Sequence, residues 1–115
     1  VAKLTRISGV AILLLTATIA VHAENLKIGM NFLQARKLLI RNGWHPEKSH
    51  PPYGERLGVE NLLIKEGVTE VENCAMDSAL CIFHYKKKNR CLEIITKGEI
   101  VKSMEISSFS HSCQP

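Results

Sequence analysis

Residues 80–96 read LCIFHYKKKNRCLEIIT, and their pattern decides the fold class. Cys81, Phe83 and Tyr85 alternate with Ile82 and His84, the period of two that marks a strand with one buried face. Lys87-Lys88-Asn89-Arg90 reads as a polar turn, and Cys91–Thr96 (CLEIIT) as a second strand. A connection this short makes Leu80–Lys86 and Cys91–Thr96 antiparallel neighbours. Lys97-Gly98-Glu99 turns again, with Gly98 free to take a positive φ. A third strand is expected over Ile100–Ile106, with Ile100, Met104 and Ile106 on one face and Val101, Ser103 and Glu105 on the other. The tail SSFSHSCQP is polar and is expected to fray unless Cys113 ties it down.

Upstream the period changes to that of a helix. Asn31 is a candidate N-cap, Gln34 completes a capping-box pattern, and Met30 and Ala35 are placed for a hydrophobic staple. At 100° per residue Phe32, Leu33, Ala35, Leu39 and Ile40 share one face, while Gln34, Lys37 and Arg41 fall on the other. Gly43 fits the position after the C-cap and Pro46 follows as a stop, so a helix is expected over Asn31–Asn42. Val59–Glu66 (VENLLIKE) reads as a short second helix stopped by Gly67. Between them His45–Gly58 is a loop rich in Pro, Gly and charge, with Pro51-Pro52 favouring an extended course. The fold class that results is α+β: two N-terminal helices packed on a three- to four-stranded antiparallel sheet.

The first residues say where the chain works. Lys3 and Arg6 precede an apolar run, Gly9–Val21, and Val21-His22-Ala23 supplies small residues at the −3 and −1 positions. This is the layout of a secretory leader cleaved after Ala23. The apolar run of about 13 residues is short of the ~20 that span a bilayer, so no stable membrane span is expected after cleavage. No cysteine stands at the cleavage site, which argues against a lipid anchor. A Val start reads as a non-standard start codon of the kind bacterial genes use. Residues 24–115 are then one small domain in the periplasm or the medium. They hold 13 basic and 11 acidic residues, a slight surplus that argues against nucleic acid as a partner.

Export also decides what Cys74, Cys81, Cys91 and Cys113 are for. Four cysteines in a small exported domain read first as two disulfides. The spacing Cys74-x6-Cys81 is not that of a zinc pair, and no C-x-x-C is present for redox work. Cys81 and His84 could form a nucleophile pair, but three apart on a strand they point to opposite faces. Three pairings are possible. The favoured one joins Cys74 to Cys81 across the segment Ala75–Leu80 and leaves Cys91 to hold the tail through Cys113.

The remaining chemistry is sparse, and neither a cofactor nor a metal site is expected. His45 and His50 are five apart, not the four of a helical ligand pair. Glu66, Glu70 and Glu72 read as a solvated edge rather than an acid–base pair. Candidate binding residues are Trp44, as core plug or exposed anchor, and His50 and Tyr53 in the long loop. To these the basic hairpin tip adds Lys86, Lys87, Lys88 and Arg90, either an anion patch or a soluble turn that guards a sheet edge.

The segment IGMNFLQARKLLIRNGWHP resembles small exported bacterial proteins of uncharacterised function, which carry G-M, an R-x-x-L helix and then G-W-x-P. The matching positions are Gly29, Met30, Arg36, Leu39, Gly43, Trp44 and Pro46, followed by Glu70, Val71, Cys74, Cys81 and Phe83. More distantly, this order of elements resembles one repeat of the β-lactamase inhibitor protein and the small outer-membrane assembly lipoprotein related to it. This more distant resemblance implies binding or scaffolding without catalysis. The expectation is a non-enzymatic module that binds another exported or envelope protein. Its alternatives are an inhibitor of an exported enzyme and a structural envelope component.

Overall fold

The hairpin read from residues 80–96 is the centre of the sheet in the computed structural model, which describes residues 25–48 and 58–113. The expected leader, and with it His50 and Tyr53, lie outside the described residues. In chain order the elements are α1 (Phe32–Arg41), β1 (His45–Pro46), α2 (Gly58–Lys65), β2 (Val71–Cys74), β3 (Leu80–Lys87), β4 (Arg90–Lys97) and β5 (Glu105–Ser110). The protein is α+β, with a five-stranded antiparallel sheet and two disulfides, Cys74–Cys81 and Cys91–Cys113.

The two helices end in the same way. Asn31 caps α1, its Oδ1 accepting from the Gln34 amide at 3.1 Å. At the other end the Gly43 amide donates to Ile40 O and the Trp44 amide to Leu39 O, at 3.1 and 3.0 Å. In α2 the Gly67 amide donates to Ile64 O and the Val68 amide to Leu63 O, at 3.0 and 2.9 Å. Both are Schellman motifs, and the positive φ of Gly43 and Gly67 is what such an ending requires. Each motif drives the residue after its glycine, Trp44 or Val68, into the core beside the leucine five positions back.

That core is one cluster. Phe32, Ala35 and Leu39 of α1 and Leu63 of α2 join Cys81, Phe83 and Tyr85 of β3, Leu92 and Ile94 of β4, and Ile106 of β5. The rings of Phe32 and Phe83 stack with centroids 4.2 Å apart. The alternation read in Leu80–Lys86 is therefore the inward and outward alternation of β3.

Three expectations need correction. The sheet has five strands because β1 and β2 both pair with β3, at Lys86/Tyr85 and at Phe83–Cys81 respectively. Neither is marked in sequence. His45–Pro46 is two residues long, and Val71–Cys74 alternates only once before a register shift. The third long strand is Glu105–Ser110 rather than Ile100–Ile106, so most of the tail expected to fray is paired with β4. Val101–Ser103 is a 3₁₀ turn. Three-residue periodicity brings Val101 and Met104 to the same side, which a strand cannot do, and Ile100 is left 66% exposed while Val101 is 4%. A Cβ on Gly98 would stand 3.2 Å from Met104 Cα, so the link folds back closely on itself. Third, Glu70 is not on a solvated edge. It is fully buried.

Candidate functional site

Two groups of polar side chains are anchored by this framework, one about a buried carboxylate and one at the surface. The inner group is centred on Glu70. Arg36 grips its carboxylate in a fork, Nε to Oε2 at 2.5 Å and Nη2 to Oε1 at 3.2 Å, and Nη2 also reaches Gly67 O at 3.4 Å. The Tyr85 hydroxyl donates to Glu70 Oε2 at 2.7 Å. The hydrogen bond to Glu70 raises the Arg36 pKa further. Burial, then the charge of Glu70, pushes the Tyr85 hydroxyl well above its ordinary range. The group locks α1, the approach to β2 and β3 together.

The outer group gathers at the end of the sheet where β3 turns into β4. Trp44, thrown inward by the Schellman motif, is 1% exposed and so is the core plug among its two readings. Its indole supports the surface residues around it. The Arg90 guanidinium carbon lies 5.3 Å from the centroid of the ring, and the His111 ring centroid lies 6.0 Å away. An arginine over an indole face is attracted by the ring quadrupole and loses mobility. Among the described residues the Trp44 Nε1 is buried and has no acceptor.

The lysines surround this support. The Lys87 stem lies 3.5 Å from where a Gly43 Cβ would stand. Lys86 Nζ is 3.7 Å from Glu47 Oε1, a solvent-exposed pair of little energetic weight. Lys88 and Asn89 are the two loop residues, and Lys88 holds φ at +57. A positive φ at only the first central position is the pattern of a type II′ turn, where Gly is the usual resident. Arg41 closes α1 two residues before Gly43 and so adds its charge to this end. The Cys91–Cys113 disulfide and the His111 Nδ1···Cys91 O contact, 3.2 Å, fasten the tail beside Arg90.

Of the residues singled out in sequence, Trp44, Lys86, Lys87, Lys88 and Arg90 are brought together. Sequence reasoning missed the Glu70 group and a second outward contact. His84 Nε2 is 2.8 Å from Glu93 Oε2, and its Nδ1 is 3.9 Å from Glu72 Oε2. That contact was legible in principle. A two-residue hairpin loop pairs positions equidistant from Lys88-Asn89, which puts His84 opposite Glu93.

No three His, Cys, Asp or Glu side chains among the described residues are placed to hold a metal. All four cysteines are in disulfides, which fits an oxidising compartment. Among the described residues no helix is long and apolar enough to cross a membrane. No known family, curated protein or solved structure matches the chain.

Proposed function

We propose that this is an exported, non-enzymatic protein-binding module that meets an acidic surface on another exported protein through its basic hairpin end. In this reading both helices cover the face of the sheet that carries Phe83 and Ile94, and the hairpin end projects beyond them. The observation that carries it is the way Arg90 is held. A cation set over a buried tryptophan, beside Lys87 and Lys88, is pre-organised, so little side-chain entropy is lost when a carboxylate arrives. Complementary charge at such an end raises the association rate and selects the partner.

The test is capture from the envelope and medium proteins of the host on the oxidised protein, run beside its Lys88→Glu and Arg90→Glu variants. One saturable partner is expected. It should be lost with either variant and at about 1 M salt, where the Debye length is about 3 Å. Capture that is indifferent to both charge reversal and salt would remove the hairpin end from the contact.

A further inference from the structure

We propose that Met76 is a reversible oxidation site, which takes one oxygen atom from a peroxide and so makes the wall of a largely apolar cavity polar. The site lies at the opposite end of the sheet from the basic hairpin and is independent of the binding reading. With all four cysteines in disulfides, Met30, Met76 and Met104 carry the sulfur that remains open to oxidation. Their surroundings differ. Met104 is fully buried, Met30 is partly buried against the core, and Met76 is 82% exposed.

That exposure belongs to a turn whose ends are fixed. Met76 stands in the link between β2 and β3. At the base of the link Cys74 and Cys81 face each other across the two strands and are joined by their disulfide. The Ala75 amide donates to Leu80 O at 2.7 Å, and the Gly98 amide donates to Ala79 O at 3.0 Å. Glu60 Oε2 accepts from the Cys74 amide at 3.1 Å, which ties the same place to α2. A cavity of about 220 Å³ opens here. Val59, Met76, Ala79 and the bridged cysteines form most of its wall, and Glu99 is its one charged residue.

The chemistry needs only an exposed thioether and a peroxide. The Met76 Sδ lone pair attacks one peroxide oxygen, the O–O bond breaks, and the other oxygen leaves as water or an alcohol. Sulfur gives up two electrons and the peroxide gains them. A dithiol-dependent sulfoxide reductase reverses the step: the oxygen leaves as water and the dithiol becomes a disulfide. The change replaces a flexible apolar side chain by a polar, chiral one. At Met76 the new oxygen stays in contact with water, so the fold buries no unpaired polar group. The same oxygen on Met104 would be enclosed in the core.

The test is a time course of the folded, disulfide-bonded protein in hydrogen peroxide, read by peptide mass and by the methyl resonances of labelled Ala and Val. The first oxygen is expected on Met76. Met104 should react more than about tenfold more slowly, because a fully buried sulfur is reached only in opened molecules. Met76→Leu should lack the fast phase. As Met76 converts, the Ala79 and Val59 methyls should shift while that of the core residue Val71 holds still, and methionine sulfoxide reductase with a dithiol should restore all of them. A fast phase on Met30 or Met104, or one that persists in Met76→Leu, would overturn the site. Conversion that leaves the Ala79 and Val59 methyls unmoved would overturn its effect on the cavity, and a sulfoxide that the reductase leaves in place would overturn its reversibility.

Discussion

Arg36 and Arg90 are both immobilised, by opposite means. Arg36 is held by a carboxylate in the interior, and Glu70 accepts from it and from Tyr85 at once. Arg90 is held by the face of an indole, which fixes the guanidinium over an apolar surface at the outside of the molecule. A cation matched to a buried carboxylate is committed to the fold. One placed on a tryptophan is held at the outside of the molecule, and in the proposed binding role it is part of the surface a partner meets. The difference separates the two polar groups by role more clearly than their residue types do.

The largest test of that separation is Glu70→Ala. It leaves the Arg36 charge and the Tyr85 hydroxyl facing a hole, and should destabilise the protein by about 3 kcal/mol. Arg90→Ala should change stability by about 1 kcal/mol or less. Urea midpoints at equal slopes measure both, and similar losses would erase the distinction. The basic end has its own fastener in the Cys91–Cys113 disulfide, with a sequence separation of 22 against 7 for Cys74–Cys81. Loop-closure entropy gives a loss of about 3 kcal/mol for the Cys91→Ser/Cys113→Ser pair. For Cys74→Ser/Cys81→Ser it gives about 2 kcal/mol. The first pair alone should also release the tail beside Arg90 and weaken partner binding. Equal binding by the two double variants would detach the tail from the contact surface.

Tyr85→Phe sharpens the inner half of the comparison. Losing one hydrogen bond to a charged acceptor should lower stability by about 2 kcal/mol at neutral pH. It should also change the response to alkali. The folded Tyr85 pKa is raised, so below about pH 10 both states keep the proton and the group adds no pH dependence. As pH rises beyond that, the unfolded tyrosine ionises first and stability falls until the folded hydroxyl ionises too. The variant should lack this decline. An identical alkaline slope in both proteins would show that burial and Glu70 do not hold the hydroxyl above its ordinary range.

The two groups also differ in how far the sequence disclosed them. The basic tip lies in one run, Lys86–Arg90, and a strand–turn–strand pattern places a contiguous run without knowledge of the rest of the fold. The helix ends were equally legible, because Gly43 and Gly67 mark local geometry. The favoured disulfide pairing agrees with the structure for the same reason, since Cys74 and Cys81 flank one short turn. The Glu70 group draws on three separate elements, and composition around Glu66, Glu70 and Glu72 looks like any solvated acidic stretch. Glu70 stands just before β2 and its partners Arg36 and Tyr85 come from α1 and β3, so nothing local to it in the sequence marks its burial. The strand misplaced at Ile100–Ile106 failed differently. Its buried residues Val101 and Met104 stand three apart rather than two, the period of a 3₁₀ turn and not of a strand.

Lys88 gives the smallest effect and the most discriminating one. A non-glycine residue at φ +57 pays a steric penalty that glycine does not. Lys88→Gly should therefore stabilise the protein by about 1 kcal/mol, a little less if the gain in unfolded-chain freedom is large. The same change removes the charge at the outermost point of the basic end, so partner binding should fall while stability rises. Lys88→Asn, which also removes the charge but tolerates the left-handed region, should weaken binding to the same degree with a smaller gain in stability. If the hairpin were only a soluble turn, glycine would improve the protein at no loss of any other property. A lysine kept where glycine fits better is then explained by the charge it presents, and opposite movement of stability and affinity in the two variants is the result that would establish it.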